Sequence, residues 1–472
     1  MTAWVVSCMC SALVKKGKSK FLKWLNKRGI LNIYKDVSDR LDTVGIDRVT
    51  FNMFDKNHIE RLDVVSRKIS DQTFVFTPYK EKLVGKGRGK VPRLISIPTV
   101  RDKIVLYAIK MYLEEFFRER ISRKLPHDHI REIKSFIGKG TYRDCVVSRF
   151  DISNFYGSIS HERLMHYVKR KVDDEFFLNL LMQAISNPTV VAGSRKLVGA
   201  GRAVEGVPQG LPISNLLADI LAWTIDDKME KICDYYARYV DDVVTMVKAE
   251  KALDISMEMD GVVASLGLTL NSDKTRKVCI NEFEFLGYRF LGSTVSVRTS
   301  SVDKFLSKVA SVLCAAQRDL RSGRKFTKNE RIAKYDDVVF DVNEMITGAI
   351  GYAKKYGWVF YYIEMNDIGA LYTMDYAIAN IASQFGEMGG YVKGRLKRMV
   401  RSYFEARYSV MSGYIHDYRT YKTDEDKLGF LKRVKAVPPS YVPGAGGEVQ
   451  RLFLQAMRKR LARLDRDVGV IS

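Results

Sequence analysis

The sequence predicts an α+β fold, with helices packed on one side of a small antiparallel sheet. Three observations carry that expectation. In the middle third, compact strand-like runs such as Cys145 to Phe150 and Tyr235 to Val247 alternate with helical stretches. Short apolar runs flank glycine-containing breaks around Phe74 to Arg101 and Phe283 to Phe290, as in β-hairpins. Beyond residue 300 the pattern is mainly helical.

Taken in order, residues 15 to 70 read as short amphipathic helices, with Phe21, Leu22 and Leu25 on one face and lysines on much of the rest. The first hairpin carries a basic tip, Gly85-Lys86-Gly87-Arg88-Gly89-Lys90. Helical spacing returns from Asp102 with Ile104, Tyr107, Ala108, Met111 and Tyr112. A buried run ends at Asp151, and the helix after it places Leu164, Tyr167 and Val168 on its apolar face. A glycine-rich basic loop, Gly193 to Gly206, leads through Gly206-Val207-Pro208-Gln209-Gly210 into an apolar helix around Leu216 to Ile225. Tyr235 to Val247 reads as strand, tight turn, strand, with Asp241-Asp242 at the turn, and a further helix runs to Leu266. Val437-Pro438-Pro439 through Gly446-Gly447 reads as a linker before a terminal helix striped by Leu454, Met457, Leu461 and Leu464.

A chain of 472 residues with 46% hydrophobic content can bury a sizeable core, which excludes global disorder and a small disulfide scaffold. Its 78 lysines and arginines against 55 acids give a net charge of +23, an attraction for polyanions that makes nucleic acid the leading partner class. Anionic lipid is the lesser alternative. The six cysteines contain no CxxC pair, and His127, His129 and His161 show no metal spacing, so neither a disulfide framework nor a zinc nuclease is expected. The apolar stretch Ala3 to Val14 is followed rather than preceded by lysines, the wrong order for a secretory signal. A reduced, cytoplasmic, membrane-free setting is the expectation.

The strongest chemical signal is Tyr239-Val240-Asp241-Asp242 between two apolar runs. Adjacent carboxylates repel and call for a compensating cation, although aspartates also favour solvated turns. Asp151 likewise ends a buried run, and one sheet can bring strand ends together across a long sequence gap. Hard divalent cations take such oxygen ligands, and a two-metal site can activate an attacking hydroxyl while stabilising a leaving pyrophosphate.

These residues resemble reverse transcriptases of the bacterial retroelement type, related to group II intron, retron and phage-defence enzymes, over roughly residues 75 to 295. The resemblance implies a right-hand polymerase. A helical N-terminal region (1-70) would be followed by fingers (71-135), palm (136-295), helical thumb (296-436), and linker with basic C-terminal helix (437-472). It further implies that Asp151, Asp241 and the Ile152 carbonyl hold two Mg2+ ions, with Mn2+ as the alternative, and that Asp242 supports them. Tyr156 becomes an aromatic gate against a ribose 2′-hydroxyl, beside Asn154 and Phe155. Gln209 contacts the incoming dNTP, Lys90 and Arg93 grip its triphosphate, and Lys274 stands near the leaving pyrophosphate, where it could act as a general acid. Phe285-Leu286-Gly287-Tyr288 resembles the primer-grip hairpin, and Gly357 to Tyr362 faintly resembles the maturase thumb.

Taken alone, each residue also has a plainer reading: Tyr156 as core, Lys90 and Lys274 as surface charge, Gly206 to Gly210 as a loop capped by Ser214 or Asn215. Two departures bear on the subfamily. Leu211 to Asn215 lacks the glycine and proline of intron enzymes, and Val240 replaces their alanine. They weaken a subfamily assignment; a compact solo enzyme with a non-intron helix motif and no nuclease module resembles a defence-associated enzyme making cDNA on a dedicated structured non-coding RNA. A retron or intron-like retroelement enzyme is the alternative within the class, and a non-catalytic RNA-binding protein the alternative outside it. Either a monomer or a homo-oligomer is compatible with the sequence.

Overall fold

The computed structural model describes residues 19–38, 41, 43–85, 89, 91–121, 124–139, 144–191, 203–322, 325–352, 354–408, 413–444 and 447–467. It divides into two compact units, Met1–Arg123 with Ser148–Arg276, and Lys124–Val147 with Lys277–Ser472.

In the first unit, short helices run from Lys20 to Ser70. Phe21 and Leu25 are buried there while Leu22 is half exposed. Asp174 ties this segment down, accepting the Ser19 hydroxyl at 2.7 Å and the Phe21 N–H at 2.8 Å. Strands β1 (Tyr79–Val84) and β2 (Arg93–Ile97) form the expected antiparallel hairpin, with Lys80 opposite Ile97 and Val84 opposite Arg93. Lys90, at its tip, lies outside the described residues.

The helix Val100–Phe117 starts at Thr99, whose hydroxyl accepts the Asp102 N–H. Asp102 is wholly buried and keeps its charge company with Arg101 at 2.7 Å. A buried carboxylate without such a partner would cost several kcal/mol.

A four-stranded sheet runs in the order β5–β6–β3–β7, where β3 is Cys145–Asp151, β5 Tyr235–Tyr239, β6 Asp242–Lys248 and β7 Arg276–Cys279; β5, β6 and Ser148–Asp151 of β3 belong to the first unit. Strand β4 (Thr189–Val190) instead pairs parallel to β1. The interior of β6, Val243 to Val247, is buried throughout, which explains a run that is apolar except for Thr245. The helices His161–Lys169 and Ser214–Ile232 pack in this unit. On the first, Met165 joins Leu164 and Val168 in the core, whereas Tyr167 sits half exposed at the helix margin, a correction to its expected place.

In the second unit, β8 (Glu282–Phe285), β9 (Tyr288–Leu291) and β10 (Thr294–Val297) form a meander. The β8–β9 turn has positive φ at both Leu286 (47°) and Gly287 (80°), the geometry that a tight two-residue hairpin favours. Phe283 and Phe290 stack beside it with centroids 4.4 Å apart. The helices Thr299–Leu320, Lys328–Thr347, Ile368–Ser383 and Met399–Tyr408 supply the rest of the core, and Trp358, Val359, Phe360 and Tyr362 are buried among them.

The terminal helix Glu448–Asp467 buries Val449, Phe453, Met457, Leu461 and Leu464. Leu454, counted in the expected stripe, is only half buried, because the seam follows Phe453 at four-residue spacing. Arg460, on another face of this basic helix, is drawn into the unit's interior. Rather than facing solvent it lies 2.7 Å from both Asp341 and Glu344. Buried Glu344 also accepts the Tyr418 hydroxyl at 2.6 Å and meets His416 Nδ1 at 2.8 Å. Burial opposes its charge, yet the His416 bond and the Arg460 charge outweigh burial and hold its carboxyl down at about 2. No described helix is long and apolar enough to cross a membrane.

Candidate active site

The two-residue turn between β5 and β6 consists of Val240 and Asp241, because Tyr239 already pairs with Asp242. Asp242 therefore begins β6 instead of sharing the turn. Val240 adopts φ of 59°, a conformation that costs a β-branched residue roughly 1–3 kcal/mol and persists only where the surroundings impose it. The surroundings here are Arg238, which is 6% exposed at its side chain. Its guanidinium donates to the Val240 carbonyl at 3.1 Å, to Asp219 at 3.0 Å, and to both carboxylate oxygens of Asp226 at 2.7 Å. Both acids stand on the helix Ser214–Ile232, so one buried cation fixes the turn to the helix. The sequence signal for Arg238 is the i, i+7 spacing of Asp219 and Asp226, which places two acids on one side of the helix that follows the Gln209 loop.

Asp151, at the end of β3, is joined to this turn through the backbone. Ile152, buried and next in sequence, donates its N–H to the Asp241 carbonyl at 3.3 Å. The Asp151 carbonyl accepts the Asn271 N–H at 2.7 Å, and its carboxylate takes the Lys274 ammonium at 2.9 Å on both oxygens. Burial first, and then the Asp151 charge, raises the Asp241 pKa, against the opposing charges of Arg93 and Lys274. Asp242 is pushed up to about 6 by burial and by Asp241, with Arg149 at 3.9 Å working the other way.

Fold and acids together thus bring Asp151, Asp241, Asp242, Arg93 and Lys274 within electrostatic reach of one another. Among the described residues, however, no group of three or more His, Cys, Asp or Glu side chains stands arranged as a finished metal cage. The donor chemistry nevertheless fits hard divalent cations: oxygen ligands, desolvated and mutually repelling, whose ionised form such a cation would favour.

Next to the acids is a cleft of about 460 Å³ lined by Arg93, Asn154, Tyr156 and Gln209. Tyr156 is buried, and its hydroxyl donates to Asn215 at 2.8 Å. Asn154 has φ of 44°, turning the chain sharply after β3. Phe155, expected among the nucleotide contacts, is buried and does not line this cleft. The loop carrying Gln209 is clamped against β2 by its own carbonyl, which accepts the Ser96 N–H at 2.7 Å. Gly210 (φ of 96°) permits that approach, since a Cβ there would stand 2.6 Å from Ile95. Ser214 does not cap the following helix; its hydroxyl donates to the Pro208 carbonyl at 2.6 Å and closes the same loop.

A strand-end acid beside an acid-bearing hairpin, backed by helices and facing a nucleotide-sized cleft, defines the palm of a right-hand nucleic-acid polymerase. The family model described as "Reverse transcriptase (RNA-dependent DNA polymerase)" matches residues 80–290. Protein YkfC of Escherichia coli K12 is 30% identical over 297 residues, which cover 53% of this chain and 76% of that protein. This chain belongs to the reverse transcriptase family, whose members are RNA-directed DNA polymerases and hence nucleotidyltransferases.

It also resembles the group II intron-encoded protein LtrA of Lactococcus lactis subsp. cremoris, at 23% identity over 35% of this chain and 28% of that protein. Among solved structures, apo telomerase from Candida tropicalis aligns at a TM-score of 0.41 and 13% identity, covering 92% of this chain and 82% of that one.

Proposed function

We propose that this protein makes cDNA on an RNA template, with Asp151 and Asp241 as the essential acids. The observation that supports this most directly is the convergence of three carboxylates about the Val240-Asp241 turn, where burial and neighbouring acids raise the Asp241 and Asp242 pKa values against the charges of Arg93, Arg149 and Lys274. Bound by Asp151, Asp241 and the Ile152 carbonyl, two Mg2+ ions (or Mn2+) would ease ionisation of the primer 3′-hydroxyl and neutralise the departing pyrophosphate.

The chain's own residues do the remainder. Arg93, with Lys90 beside it in sequence, orients the triphosphate, and Gln209 borders the incoming nucleotide. The Tyr156 ring leaves no room for a 2′-hydroxyl, which favours dNTPs. Asp242 reinforces the negative field behind Asp241. Lys274 supplies a proton to the leaving pyrophosphate.

As to biological role, the non-intron helix motif at Leu211 to Asn215 supports a phage-defence enzyme that copies a dedicated structured RNA. The likeness to an intron-encoded protein favours a retroelement enzyme as the second reading.

The test is primer extension on an RNA template by the purified chain with Mg2+. Asp241→Asn should lower the rate at least about a thousandfold, while folding and RNA affinity stay as they were. Salt-sensitive RNA binding without any product would point instead to a structural RNA-binding protein. Sequencing the nucleic acid that co-purifies with active and Asp241-substituted protein separates one dedicated RNA from a mobile element's own transcript.

A further inference from the structure

The helix His161–Lys169 and the turn after it carry a feature that the polymerase reading does not use. Two cavities of the first unit, about 780 Å³ and about 240 Å³, share the ring of Tyr167 as a common wall. The smaller falls below the roughly 300 Å³ at which sites for drug-sized ligands begin, and it suits one planar ring system. Its other walls are Phe117, Trp223, Arg170, Lys171, Thr224 and Asp227. The Arg120 guanidinium lies 3.7 Å from the Trp223 centroid and is held by Asp227 at 2.7 Å. A stacking surface of tryptophan and arginine is therefore already built.

Around Tyr167 the cations outnumber the acids, and Asp227, the smaller cavity's one acid, is already engaged by Arg120. Lys169, Arg170 and Lys171 make no ion pair among the described residues. Arg170 lies 5.9 Å from the Tyr167 centroid, and Lys171 lies 5.8 Å from that of Trp223. The larger cavity adds Arg163 and His166, with Glu162 as its one acid. Cations that follow a groove, interleaved with ring faces, match a phosphate backbone with unstacked bases; an acidic peptide would need the charge and not the rings.

We propose that this groove is a second nucleic-acid site, distinct from the catalytic cleft, which binds a single-stranded RNA segment with one base against Tyr167 and phosphates on Arg170 and Lys171. The Thr224 hydroxyl, donating to the Tyr167 hydroxyl at 3.0 Å, fixes the ring's position.

The site can be tested by titrating the whole chain with a fluorescent single-stranded uridine oligonucleotide in EDTA without dNTPs, so that binding is read independently of polymerisation. Neutralising the pair, Arg170→Gln with Lys171→Gln, should weaken binding about tenfold and flatten the log–log salt slope by about 1.4, or about 0.7 for each phosphate left without its cation. Tyr167→Leu should weaken binding severalfold with the slope unchanged, and Tyr167→Phe, which keeps the ring and loses only the Thr224 bond, should weaken it less than the Leu change does. Extension on a short template confined to the catalytic cleft should be the same in all variants, which also establishes that they fold. Unchanged affinity in the charge and Leu variants, or equal displacement of the RNA by polyglutamate, would overturn the proposal.

Discussion

The Lys274 ammonium sits 2.9 Å from both carboxylate oxygens of Asp151, a side chain that is 13% exposed, while the lysine itself is 64% exposed. A mostly solvated lysine gains little from such a pair, so the pairing does more for the acid than for the stability of the chain. Lys274→Ala should accordingly leave the melting temperature nearly unchanged and lower kcat for extension about a hundredfold, with KM for dNTP moving much less. Single-turnover extension measures this, and an unaltered kcat would reduce Lys274 to a surface partner.

Asp242 sets a pH dependence. Its folded-state pKa, about 6, lies above the unfolded value of 3.8, so the folded chain favours the protonated form. Stability attached to this group is fully present below pH 3.8 and is lost as pH rises through 6. Asp242→Asn should therefore be more stable than the parent at pH 8, by about 2 kcal/mol, with the difference vanishing toward pH 4. Denaturant melts at the two pH values check it, and an equal difference at both would remove Asp242 as the cause.

Tyr156 combines a ring with a hydroxyl, and two substitutions separate them. Tyr156→Ala should reduce discrimination against ribonucleotides at least about tenfold. Tyr156→Phe keeps the ring and loses only the bond to Asn215, costing about 1 kcal/mol of stability with discrimination intact. Competition between dNTPs and NTPs in primer extension is the readout; identical ratios in both variants would put the gate elsewhere.

Arg238 is the most consequential structural residue near the site. Arg238→Met should destabilise the first unit by about 3–5 kcal/mol, because it strands Asp219 and Asp226 while freeing the strained Val240 carbonyl. Arg238→Lys should recover only part of this, since an ammonium cannot reproduce the two-pronged grip on Asp226. Chemical denaturation of the three proteins decides it, and a Lys variant as stable as the parent would show that charge alone suffices.

Much of the first unit could be read in advance because its signals are local. The β1–β2 and β5–β6 hairpins follow from short apolar runs around breakers, whereas the helix expected from Asp102 begins at Val100, capped by Thr99. The neighbourhood of Asp151 and Asp241 was legible for a different reason: each acid stands at a strand end of one sheet. What escaped depends on partners distant in sequence. Nothing local to Arg460 reveals that Glu344 awaits it 116 residues upstream. Phe155 and Tyr156 are adjacent aromatics, both buried, yet only Tyr156 lines the cleft, and nothing local in the sequence separates them. Tyr167 looked like core because its spacing matched Leu164, yet a margin and an interior position differ there by a fraction of a helical turn.

The seating of Arg460 against Glu344 also determines how the gene product tolerates shortening. Cutting the chain ahead of that arginine would uncork a negative charge sealed where water cannot reach, next to a seam of exposed grease. Trimmed versions made for crystals or fusions should therefore end beyond the final helix, and a stop codon placed just before it would act as a lesion of folding rather than of catalysis.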